Sequence, residues 1–162
     1  MIEAALGHRE FFHIGSAVPS LRSAMVDLSS SLGVGWAAPY RRTGAVMTRI
    51  GPVHRDMWIT YSAPGPIHLE LIEYVDDEAY RHMTGGPPQH HIGFWSDTFH
   101  ADIARLESLG MPCEASGVDD AGRRTEFAYH RDPHTGMWIE LVDTAGRRVL
   151  QKWTSRPVSL TA

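Results

Sequence analysis

The sequence predicts an α+β fold: two βαβββ modules whose strands form a cup-shaped, eight-stranded mixed sheet around a metal site. Three observations carry that expectation. The tripeptide His-Ile-Gly occurs twice, starting at His13 and at His91, each time heading into a helix. Two apolar segments, "PIHLELIEY" and "GMWIELVDT", each centre a glutamate, Glu70 or Glu140, between large aliphatic residues. The length of 162 residues suits one domain, or two small modules that share a core.

The elements follow in order. From Phe11 to Val18 the residues are β-branched, aromatic or small and predict a strand, after which Pro19 and Ser20 offer a fixed φ and a capping hydroxyl. Leu21, Ala24, Met25, Leu28 and Leu32 then recur at helical spacing, and Gly33 supplies a left-handed stop. Two strands are expected at roughly 45–50 and 56–62, before the Glu70 strand ends the first module. The second half repeats this grammar: a strand over 91–96, a cap at Asp97 or Thr98, a helical face of Phe99, Ile103, Leu106 and Leu109, and a stop at Gly110 with Pro112 beyond. Strands at roughly 113–116 and 125–130 precede the Glu140 strand, and "HRDPHTG", from His130 to Gly136, is a turn. The expected division is therefore 9–75 and 90–144 for the modules, 76–89 for a linker rich in charge, Gly and Pro, and 145–162 for a tail. His13 and His91 stand 78 residues apart and Gly33 and Gly110 stand 77 apart, so two copies of one strand–helix unit are expected, with the register slipping by one residue within the unit.

Composition narrows the function classes. A formal net charge of -4 leaves no basic footprint for nucleic acid. No apolar run approaches a membrane span and the first residues do not form a secretory leader, so a cytoplasmic protein without a membrane partner is expected. Cys113 is the single cysteine, which rules out an internal disulfide and a thiolate cluster; a bound metal must be held by His, Asp or Glu.

Strand alternation places those ligand types. Side chains two apart share a face. Phe12, Ile14, Ile92, Phe94, Leu69, Leu71, Ile139 and Leu141 then form an apolar floor for the helices. The opposite face carries His13 with Gly15, His91 with Gly93 and Trp95, Glu70 with His68, and Glu140 with Trp138. Each Gly is expected to leave space beside the preceding imidazole. If the modules pair about a pseudo-twofold axis, two imidazoles and two carboxylates converge in one cup, a set that suits a divalent ion with room for substrate.

These motifs resemble the vicinal oxygen chelate superfamily, which includes glyoxalase I, methylmalonyl-CoA epimerase, extradiol dioxygenases and the fosfomycin and bleomycin resistance proteins. "FHIGSAVPSLRSAM" and "GPIHLELIE" look like its first-module signature, and "HHIGFWSD" and "DPHTGMWIELVD" like its second. The resemblance implies His13, Glu70, His91 and Glu140 as ligands of a divalent ion: Zn, Ni, Co, Mn or Fe. An acid at both glutamate positions looks more like the isomerase and lyase branches than like the two-His-one-Glu dioxygenases. The implied activity is that of an isomerase, epimerase or lyase, in which the ion chelates adjacent substrate oxygens and stabilises an enolate. Glu140 or Glu70 would serve as base, with His68 and His54 as rivals, and Asp56 beside His54. Two alternatives stand beside it: an iron-dependent extradiol-type dioxygenase, and a non-catalytic drug-binding resistance protein.

An apolar or aromatic small-molecule substrate is expected, because Trp95, Trp138, Trp58 and Phe11 stand where they offer stacking surfaces. Trp36 reads as core. The basic tail, with Arg147, Arg148, Lys152, Arg156 and Trp153, either clamps a phosphate or CoA group or packs against its own sheet or a partner subunit. A homodimer is the expected assembly.

Overall fold

The computed structural model describes residues 5–6, 9–76 and 90–159. The chain runs β1 (Ala5–Leu6), β2 (Arg9–Ala17), α1 (Leu21–Leu32), β3 (Gly35–Trp36), β4 (Tyr40–Thr48), β5 (Gly51–Ala63) and β6 (His68–Asp76). The second half runs β7 (His90–Ser96), α2 (Phe99–Ser108), β8 (Cys113–Val118), β9 (Arg124–Arg131) and β10 (Trp138–Asp143), then a 3₁₀ turn over Thr144–Gly146 and α3 (Arg147–Thr154). Apart from Asp76, the expected linker lies outside the described residues.

The helix signals of α1 act as expected. Ser20 caps α1 by accepting the Ser23 amide at 3.3 Å, and Gly33 ends it at φ 69°. At α2, Thr98 occupies the cap position but its hydroxyl goes to Asp102 Oδ2 at 3.1 Å, and Gly110 follows at φ 82°. Asp132 Oδ1 organises the predicted turn by accepting the His134 and Thr135 amides at 2.9 and 2.7 Å.

Each half orders its strands first, fourth, third, second, and the halves join twice. β2 pairs β7 antiparallel, β4 pairs β8 antiparallel, and β2–β6–β5–β4–β8–β9–β10–β7 therefore closes on itself. A closed eight-stranded mixed sheet results, with β1 and β3 attached outside the ring. Both module junctions form within one chain.

Helices pack outside the ring and aromatics fill it. Leu21 and Met25 of α1 meet Trp36 and Leu71, while Phe99, Ile103 and Leu106 of α2 meet Cys113, Ala128 and Leu141. Inside stand Phe12, Met57, Ile59, Tyr61, Ile72, Trp95, Phe127, Tyr129, Trp138 and Val142. Burial of this apolar surface is the main drive that holds sheet and helices together.

Three expectations need correction. Phe12 does not join the helix floor: a bulge between Phe11 and His13 turns it inward beside its neighbour His13, against Trp95 at 4.1 Å between ring centroids. Ile14, assigned to the same floor, is instead exposed. The second and third strands of the first half are longer than expected, spanning 40–48 and 51–63, and β3 was not foreseen. Gly44, Gly51 and Pro52 interrupt the alternation there, and pairing partners rather than local pattern hold these strands.

Candidate metal centre

Parallel pairing of β2 with β6 and of β7 with β10 brings each histidine strand beside its glutamate strand. Gly15 lies opposite Glu70, and Gly93 opposite Glu140. Antiparallel pairing of β2 with β7 then sets His13 opposite Gly93 and Gly15 opposite His91. All four polar side chains are inward and buried.

They converge on one point. His13 Nε2 lies 3.0 Å from His91 Nε2, 2.8 Å from Glu140 Oε2 and 3.4 Å from Glu70 Oε2. His91 Nε2 lies 2.9 Å from Glu70 Oε2 and 3.1 Å from Glu140 Oε2. One ligand atom from each residue falls within 4.8 Å of the others.

The glycines have a role different from the one expected. A Cβ on Gly15 would stand 1.8 Å from His91 Cε1, and a Cβ on Gly93 would stand 2.1 Å from His13 Cε1. Each glycine is thus a notch for the imidazole of the other module, not for its own. The Nδ1 atoms of both histidines are buried without a hydrogen-bond partner. Packing therefore orients the rings: Tyr61 meets His13 edge-on at 5.6 Å, and Tyr129 meets His91 at 5.1 Å.

The residues present fit a divalent cation. Two carboxylates and two imidazoles are oxygen and nitrogen donors that suit such an ion, and all four meet at the same point. Within the chain alone the same field acts on protons. Burial works to lower the His91 pKa, but Glu140 and Glu70 together overcome it and hold it at about 10. Burial works to raise Glu140, yet hydrogen bonds from His13 and His91 hold it at about 2. Burial, reinforced by Glu70 and Glu140, keeps the Tyr61 phenol well above its ordinary range, so its hydroxyl donates to Glu70 Oε1 at 2.5 Å.

The centre opens into a cavity of about 500 Å³. Its wall includes Met57, Ile59, Ile72, Phe127 and Val142, together with Glu70 and Glu140. The tail supplies part of the wall. Leu150 and Trp153 of α3 pack against the inner cluster, and Trp153 Nε1 donates to the Ala38 carbonyl at 2.8 Å. Of the two roles considered for the tail, the helix adopts packing on its own sheet.

Other candidate residues fall elsewhere. His54 and Trp58 are exposed on the outer face of β5, because Arg55, Met57, Ile59 and Tyr61 take the inward positions. Asp56, on the outer face with them, binds Arg41 at 2.7 Å. Phe11 packs on Phe94 at 5.8 Å, because the bulge reserves the inward place for Phe12. Trp95 and Trp138 are buried in the inner cluster but do not line the cavity. His68 shares the inward face with Glu70, yet its Nδ1–H donates to the Ser62 carbonyl at 2.6 Å, its Nε2 faces Gly65, and burial lowers its pKa. Sequence reasoning missed Tyr129, Arg42 and Arg55. Tyr61 and Tyr129 stand opposite Glu70 and Glu140 in equivalent strands, so extending the repeat by one strand would have found the second tyrosine.

A family model described as glyoxalase/bleomycin resistance protein/dioxygenase superfamily matches residues 12–129. The chain belongs to this superfamily. The closed sheet of two βαβββ modules is this superfamily's fold in the present chain. Solved structures of similar fold include a hypothetical protein from Bacillus halodurans, 16% identical, covering 84% of this chain and 94% of its own, with a TM-score of 0.53. Methylmalonyl-CoA epimerase from Mycobacterium tuberculosis is 16% identical, with coverage of 82% and 86% and a TM-score of 0.52. A Streptomyces coelicolor methylmalonyl-CoA epimerase bound to 2-nitronate-propionyl-CoA is 17% identical, with coverage of 82% and 95% and a TM-score of 0.52. At such identity these likenesses concern the fold. A search of curated proteins finds no match to the sequence.

Proposed function

We propose that the protein is a metal-dependent isomerase, epimerase or lyase that removes a proton beside a carbonyl of an apolar small molecule. The observation that carries this reading is the convergence of two buried imidazoles and two buried carboxylates, the carboxylates lining a largely apolar cavity. His13, Glu70, His91 and Glu140 would hold the ion, with 9–75 and 90–144 as the contributing modules. A divalent ion held there supplies a Lewis acid for charge developing on two adjacent substrate oxygens.

The chain's own groups divide the remaining work. Glu70 is fixed at both oxygens, by the Tyr61 hydroxyl and by His91 Nε2. Glu140 Oε2 has His13 and His91 Nε2 as its near neighbours and no hydrogen-bond partner beyond them among the described residues. Glu140 is therefore our choice for the base. Met57, Ile59, Phe127 and Leu150 exclude water and orient an apolar substrate. Because both module junctions form within one chain, a homodimer would add contacts without adding ligands.

Elemental analysis of protein purified without added metal or chelator tests the centre. Near-stoichiometric Zn, Ni, Co or Mn in the wild type, lost in His13→Ala and Glu140→Ala, is expected. Iron would favour the dioxygenase, and a folded wild type that takes up no divalent ion would leave a drug-binding cup. Proton exchange into methylmalonyl-CoA and other carbon acids in D₂O, abolished in Glu140→Gln, tests the reaction class.

A further inference from the structure

Arg55 is an anomaly that the metal centre does not explain. It is only 6% exposed and lines the cavity, with its guanidinium 5.1 Å over the Phe127 ring. Its Nη2 lies 3.5 Å from Glu126 Oε2, but Nε and Nη1 are buried without any hydrogen-bond partner. A buried charge with unmet donors is costly, and a ligand acceptor would remove that cost. Arg42, on the same cavity wall, donates to the same Glu126 oxygen at 2.5 Å. Glu126 holds this position at φ 62°, in the left-handed region, and its side chain is half exposed.

We propose that the cavity's ligand carries a carboxylate, seated on Arg55 and Arg42. This rests on the preceding reading only in taking the cavity as the substrate site. Two guanidinium groups against one Glu126 carboxylate leave a single net positive charge, which a monoanion matches. Glu126 already shows that a carboxylate reaches both arginines. Met57 and Ile59 continue the inward face of β5 from Arg55 to Tyr61, the partner of Glu70. The ligand therefore sets its anion on these arginines and its apolar part along Met57 and Ile59.

Calorimetric titration with octanoate and with 1-octanol tests this, on chelator-treated protein so that metal cannot bind the carboxylate. Octanoate should bind wild type about tenfold or more tightly than octanol, the scale of a charged hydrogen bond. Arg55→Met should erase that preference, and Glu126→Gln should strengthen octanoate binding by removing the internal competitor. Equal affinity for the two probes in wild type overturns the proposal, as does a preference that survives in Arg55→Met. If Arg55→Met does not fold, Glu126→Gln decides, and unchanged or weaker octanoate binding there also overturns it. Metal content separates the two readings. Normal metal uptake without anion preference sinks only the carboxylate site, whereas anion preference in a chain that takes up no metal sinks only the metal centre.

Discussion

Gly15 and Gly93 carry a constraint that no side chain could replace. Each removes a Cβ that would occupy the imidazole position of the opposite module, so the two His-x-Gly motifs interlock across β2 and β7. Substituting Ala in a packed interior typically costs about 1–3 kcal/mol through overpacking, and here the displaced group is a candidate ligand. Gly93→Ala should therefore lower stability by about that amount and abolish metal retention, as read by urea unfolding and metal analysis. His13, Glu70, His91 and Glu140 were legible from the sequence because they recur at matching places in a repeat. His54, Trp58 and Phe11 were misplaced because a bulge and a strand register, invisible in local pattern, decide which residues face inward.

At the scale of elements, Asp102 ties α2 to β2 and β7. It accepts Arg9 Nη1 at 2.6 Å, Ser96 Oγ at 2.5 Å and Thr98 Oγ1 at 3.1 Å. The Arg9 hydrogen bond, the largest influence, lowers its pKa from 3.8 to about 2, against the opposing effect of burial. The folded pKa lies below the unfolded one, so this contribution is present above pH 3.8 and fades as pH falls toward 2. Asp102→Asn should cost about 2 kcal/mol at neutral pH. The difference from wild type should shrink in acid, as chemical denaturation across pH 2–7 would record. The α3 helix shows the limit of reading by segment. Its basic residues drew notice, but Leu150 and Trp153 form the wall that shapes the cavity.

At the scale of the whole molecule, an ion held by the four candidate ligands would be coupled to folding. The four ligands come from four strands on both sides of a module junction, so the unfolded chain holds no preformed site. An ion that binds only the folded chain stabilises it by about 2.7 kcal/mol at a free concentration 100 times Kd. Thermal midpoints should rise with added divalent ion in wild type and stay flat in His91→Ala.

By itself the sequence determined the βαβββ repeat, the limits of α1 and α2 and the residue types at the centre. Those features rest on short-range periodicity and capping chemistry, which are written locally. Only the tertiary structure decided that the ring closes within one chain, that each glycine serves the other module's histidine, and that Arg42, Arg55 and α3 complete the cavity. Those outcomes depend on register between strands far apart in sequence. A shift of one residue there reverses every side chain, and no local pattern records it.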